Sequence, residues 1–120
     1  MVNLACEVCK QPVRRDGIVG INTEHAAARF RRWEAHAREF NVGAGPHIDD
    51  TTTWPDIEQA HWYWGHAKCL PDDLDYLFEG SRIRNPKRAL GWTLHLQEKF
   101  WFEHTDWEAL LRRFGFVEYA

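Results

Sequence analysis

The sequence predicts an α+β fold, and three observations predict it. Two short Cys/His motifs, "CEVC" at 6–9 and "HAKC" at 66–69, each lie beside a segment of strand character. The stretch 22–41 repeats its apolar residues at helical spacing. The last third, from Asn85 onward, holds two further helical patterns with start signals in front of them. At 120 residues the chain is expected to form one domain, 1–120. Its 7 Trp, 7 Phe and 3 Tyr can build a core, so a metal is not needed merely to supply one.

The elements follow in order. "CEVCKQPVRRDGIVGIN" reads as a turn with a short hairpin; Asp16–Gly17 is a turn dipeptide, and Ile18, Val19 and Ile21 suit the returning strand. The segment 24–41 reads as a helix capped by Asn22 or Thr23. Phe30, Trp33, Ala37 and Phe40 share one of its faces, Arg29, Arg32 and His36 line another, and Asn41 and Gly43 suit its end. Residues 42–56, rich in Gly, Pro, Asp and Thr, read as a loop. "IEQAHWYW" reads as a strand running into "GHAKC". "LPDDLDYLFEGSRIR" fits either a short helix through Leu74, Leu77 and Phe78 or extended chain through Tyr76, Phe78 and Ile83. Asn85–Pro86 starts a helix. Ala89, Trp92, Leu96 and Phe100 lie on one face, and Leu90, Leu94 and Trp101 widen it, which predicts burial over most of the circumference. "TDWE" at 105–108 fits a capping box with Thr105 as cap and Glu108 three residues on. Trp107, Leu110, Leu111 and Phe114 follow as an apolar stripe that Gly115 ends, completing a C-terminal helical pair over 85–115.

Cys6, Cys9, His66 and Cys69 form C-x2-C … H-x2-C. Each x2 spacing lets one tight turn present two ligands to one ion, and a tetrahedral set of three thiolates and one imidazole is a structural zinc site with no vacancy for water or substrate. The strand-then-turn context predicts a treble-clef-like zinc finger whose ligand segments are 1–23 and 57–72. The 56 residues between Cys9 and His66 (10–65) make the helix 24–41 and the loop an insertion inside the finger. The competing reading takes "CEVC" as a redox pair and Cys69 as a small buried side chain. A thioredoxin-like pair follows a strand and opens a helix, and no strand precedes this one. His61 is a second candidate ligand with the poorer spacing H-x7-C.

Charge bounds the partners. The net charge of −3 argues against a general nucleic-acid coat. It is unevenly spread: seven basic against five acidic residues in 1–40, one against eight in 41–80, and seven against five in 81–120. Arg82, Arg84, Lys87 and Arg88, with Arg29, Arg31, Arg32 and Arg38, could make a basic face for phosphates or be solvated surface. His47, Asp49 and Asp50 could hold a second, hydrolytic metal or be a polar loop. His25, His95 and His104 are scattered, and no His has an evident nucleophile partner. Neither a zinc-deaminase signature nor a phosphate-binding glycine loop is present. The start "MVNLACEVCK" lacks the pattern of a signal peptide, and no apolar run approaches the roughly 20 residues of a membrane span. A cytoplasmic protein is therefore expected, with no catalytic residue assigned.

The ligand segments resemble treble-clef fingers of the LIM and poly(ADP-ribose) polymerase type, where an aromatic pair also precedes the H-x-x-C half, as in "WYWGHAKC". Almost end to end, the chain resembles small uncharacterised proteins of actinobacteria and their phages and mobile elements. The pieces that carry this are "CEVCKQPVRRDGIVGI", "HWYWGHAKC", "RIRNPKRALGWTLHLQEKFW" and "TDWEALLRRFG". That resemblance implies metal ligation by Cys6, Cys9, His66 and Cys69 and implies no reaction. Three functions stay open: a zinc-stabilised module for a protein partner, a zinc-dependent DNA or RNA binder, and a small metal-dependent nuclease or hydrolase.

Overall fold

The computed structural model describes residues 4–13, 17–41 and 58–116, with residues 39–41 described by their backbone alone. Three strands, β1 (Gly17–Ile21), β2 (Tyr63–His66) and β3 (Tyr76–Glu79), form one antiparallel sheet in the order β2-β1-β3. Three α-helices, α1 (Thr23–Asn41), α2 (Pro86–Leu96) and α3 (Trp107–Arg113), surround it, with 3-10 turns at Gly80–Ile83 and Phe102–His104. The α+β class is as expected. In register, Gly17 faces His66 and Val19 faces Trp64 on one side, while Val19 faces Phe78 and Ile21 faces Tyr76 on the other.

Local chemistry places most of these elements. Asn22 caps α1 by accepting from the His25 N–H at 3.0 Å. Asp75 fixes the same start, accepting from the Thr23 backbone N–H at 2.7 Å and from its hydroxyl. Asn85 caps α2 through the Arg88 N–H at 2.9 Å, with Pro86 in the first turn. Gly115, at φ 77°, ends α3 in the left-handed region that favours glycine.

Trp62 is the centre of the core. It is fully buried, with ring centroids 5.0–6.1 Å from those of Trp107, Phe78, Trp101 and Tyr76. Its neighbour two residues on, Trp64, lies over the start of β1 and the end of β3. A Cβ on Gly17 would come within 2.1 Å of that ring, and one on Gly80 within 2.3 Å. Trp107 Nε1–H donates to Thr93 Oγ1 at 2.8 Å and ties α3 to α2.

Several expectations are corrected. The strand expected over 57–64 is Tyr63–His66; Ala60 instead makes a parallel bridge with Thr105. The ambiguous 70–84 segment is extended at β3 and then turns, because Phe78 and Ile83 must both reach the core. No helix follows Cys69; the chain passes from the turn at 67–69 to β3. α2 ends at Leu96 because the next residues turn to seat Trp101 beneath Trp62, and Leu90, Leu94 and Phe100 stand exposed rather than buried. α3 is capped at Asp106, not Thr105. Thr105 donates its hydroxyl to the Phe102 carbonyl, and the Asp106 carboxylate is spent elsewhere, as described below.

Candidate metal centre

The first Cys pair lies in a turn closed by its own backbone. Cys6 N–H donates to Gln11 O at 2.8 Å, and Lys10 N–H to Cys6 O at 2.9 Å. Lys10 takes the left-handed conformation, φ 66°, that bends the chain back, so that Ala5 bridges Pro12. The second pair straddles the end of β2, where Cys69 N–H donates to His66 O at 2.9 Å. Glu7 N–H donates to Trp64 O at 3.1 Å and sews the two turns together. Gly65 makes the approach possible: a Cβ there would sit 2.5 Å from Cys6 Sγ.

The result is one cluster. The ligand atoms of Cys6, Cys9, His66 and Cys69 all lie within 4.8 Å of one another. His66 Nδ1 is 3.4 Å from Cys9 Sγ and 3.9 Å from Cys69 Sγ. Zinc with bonds of about 2.3 Å to sulfur and 2.0 Å to nitrogen spaces tetrahedral corners about 3.5–3.8 Å apart, so these separations suit it. His66 Nε2–H donates to the Pro12 carbonyl at 3.2 Å, which turns Nδ1 toward the sulfurs. The thiols are set against one another. Burial works against ionisation of Cys6, but backbone groups of Cys9, His66 and Val8 outweigh it and bring its pKa to about 6. Burial, and then the neighbouring Cys9 and Cys6, push Cys69 up. Three sulfurs this close cannot all ionise without a cation between them. The cluster could hold a metal ion, typically zinc. Among the described residues it is the one grouping of three or more His, Cys, Asp or Glu side chains placed to do so.

His61 stands outside this cluster. Its Nδ1 is 2.5 Å from Asp106 Oδ2 and its Nε2 is 2.7 Å from Glu7 Oε2. Those two carboxylates, Asp106 first, raise its pKa to about 9. Asp106 Oδ1 also accepts the Trp62 N–H at 2.6 Å, and Glu7 Oε1 accepts the Trp64 N–H at 2.7 Å. Arg113 closes the network through Glu7 Oε1 at 3.2 Å and the Trp62 carbonyl at 2.8 Å. Burial opposes ionisation of Glu7, but His61 and the Trp64 N–H hold its carboxyl below the usual range. Glu7, between the two cysteines of the first turn, is thus bonded to β2 and α3 together. Sequence reasoning missed Glu7, Pro12, Gly65, Asp106 and Arg113 as support for the centre; the signal available was a carboxylate inside the C-x2-C loop.

The other candidate residues are separated by role. Arg29 is 2.7 Å from His104 Nδ1 and lies 4.7 Å above the Trp33 ring. Burial, and then the Arg29 charge, lowers the pKa of His104. Arg82 lies over Trp92 at 5.5 Å, and Arg32, Arg84, Lys87 and Arg88 are exposed. His95 packs against Trp92, with centroids 5.0 Å apart. His47, Asp49 and Asp50 lie outside the described residues. None of the described helices is long and apolar enough to cross a membrane. No family model, no curated protein and no solved structure matches the chain.

Proposed function

We propose that this chain is a zinc-stabilised protein-interaction module of regulatory kind, built as a treble-clef-like finger around an inserted helix. One observation carries the reading: three cysteine sulfurs and one imidazole lie within 4.8 Å of one another, a set of four that would leave a bound zinc no position for a substrate. When bound, zinc would be held by Cys6 Sγ, Cys9 Sγ, Cys69 Sγ and His66 Nδ1. It would supply fixed positive charge and cross-linking rather than reaction chemistry. The interaction half is supported by a groove of about 600 Å³ beside the second turn and the β3 edge, lined by Ile18, Leu70, Leu77, Phe78, Arg82 and Trp92. Affinity with small actinobacterial and phage proteins belongs to this proposal and rests on the sequence pieces named above.

A second reading, a DNA or RNA binder, is favoured by the cluster of Arg82, Arg84, Lys87 and Arg88 around the positive end of α2. Elemental analysis of purified protein tests the zinc reading, with about one zinc per chain expected. Cys69→Ala or a chelator is expected to lower Tm by more than about 10 °C. A metal-free protein whose Tm a chelator does not change would overturn it.

A further inference from the structure

One surface away from the metal centre departs from three local rules. α2 presents Leu90 and Leu94 to solvent, 61% and 57% exposed. Between them stands Gly91, where a Cβ would meet nothing within 4 Å. No packing among the described residues calls for that glycine, although in mid-helix it costs roughly 1 kcal/mol relative to Ala. The first turn of α2 carries Lys87 and Arg88 and no acidic residue, so positive charge stands at the positive end of the macrodipole. Lys87, Leu90, Gly91 and Leu94 share one face by their i, i+3, i+4, i+7 spacing. Exposed Glu98, in the turn that continues past the helix, falls on the same line at i+11. The buried residues of α2, Ala89 and Leu96, point the other way.

That face is complementary to itself. We propose that it joins two copies of this chain through antiparallel α2 helices related by a two-fold axis that crosses the Leu90–Leu94 face midway between those two residues. Leu90 then packs on Leu94 of the partner subunit, and Leu94 on the partner's Leu90. Gly91 lets the two backbones approach, and Lys87 comes opposite the partner's Glu98. The helix dipoles oppose, and each basic first turn lies beside the negative end of the other helix. A contact of this type closes as a dimer and goes no further. Two leucines between the charges, with a carboxylate beyond them, fit a second helix better than a phosphate backbone. The proposal rests on the interaction-module reading and names a second copy as one partner.

Sedimentation equilibrium of the zinc-loaded full chain tests it. Concentrations up to about 100 μM are needed, because one short helix per protomer buries less than the roughly 1,200 Å² of a standard interface. The mass is expected to rise from 14.2 kDa toward twice that value. Leu94→Glu is expected to stay monomeric with unchanged zinc content and Tm. Lys87→Glu is expected to weaken association about tenfold, and Lys87→Glu combined with Glu98→Lys to restore it. A monomer at every concentration, or a dimer indifferent to Leu94→Glu, overturns the proposal. So does a double variant that fails to recover. A monomeric wild type that binds duplex DNA at low salt through Lys87 overturns it in favour of the nucleic-acid reading. Zinc content, measured on the same samples, decides the metal reading separately, and a zinc-loaded monomer leaves the β3 groove as the interaction surface.

Discussion

Held between Asp106 and Glu7, His61 keeps its proton where a free histidine loses it, and that makes pH a probe of one side chain. Its pKa is raised from 6.5 to about 9. Its contribution to stability is therefore complete below about pH 6.5 and fades as pH rises through about 9. Glu7 is lowered from its ordinary 4.5, so its contribution is present above about pH 4.5 and is lost as pH falls through its lowered value. Urea denaturation of zinc-loaded protein is expected to show a smaller midpoint at pH 9.5 than at pH 7. His61→Gln should remove most of that difference; an unchanged pH dependence in the variant would show that other groups cause it. This role was not legible in the sequence. "HWYWGHAKC" displays His61 beside the ligands, but its partners lie 54 and 45 positions away. The ligands themselves were legible because x2 spacing is a local constraint that a turn imposes.

Among the elements, the two ligand turns depend on one glycine more than on any propensity. Gly65 sits in β2, where a side chain is normally welcome, and it is empty because Cys6 Sγ occupies the space. Gly65→Ala is expected to cost about 1–3 kcal/mol in urea denaturation and to weaken zinc in chelator competition, since the thiol must shift for the methyl to fit. Equal midpoints and equal zinc affinity would mean that the turn yields freely. The helices were read from the sequence to within a few residues at their starts, because Asn22, Asn85 and Pro86 act on their own neighbours. The end of α2 was not, since Phe100 and Trp101 keep helical spacing although only Trp101 is buried. The cap of α3 was misassigned for a similar reason. Thr105 and Glu108 satisfy a local pattern, but Asp106 is the residue that the distant Trp62 N–H recruits.

In the molecule as a whole, aromatic packing and the candidate metal centre are two separate sources of order joined along residues 62–66. Trp62 serves the first and His66 the second, four residues apart on one chain. Trp62→Ala is expected to destabilise the fold by about 3–5 kcal/mol in urea denaturation while leaving zinc stoichiometry near one per chain. Loss of zinc in that variant would show that the core and the centre form a single cooperative unit. The α+β class was legible in the sequence, but the sheet order was not. Strand pairing joins Gly17 to His66 and Ile18 to Glu79, contacts that no local pattern encodes. The separation between the two ligand turns has a consequence for the history of such a chain. An ion held there would close a lasso at its neck, and the entropy of closure grows only with the logarithm of the lasso's length, about 0.6 kcal/mol for each doubling. Length changes within the span 10–65 would therefore alter that closure by little, whereas a neck residue exchanged for anything but another zinc ligand would open it.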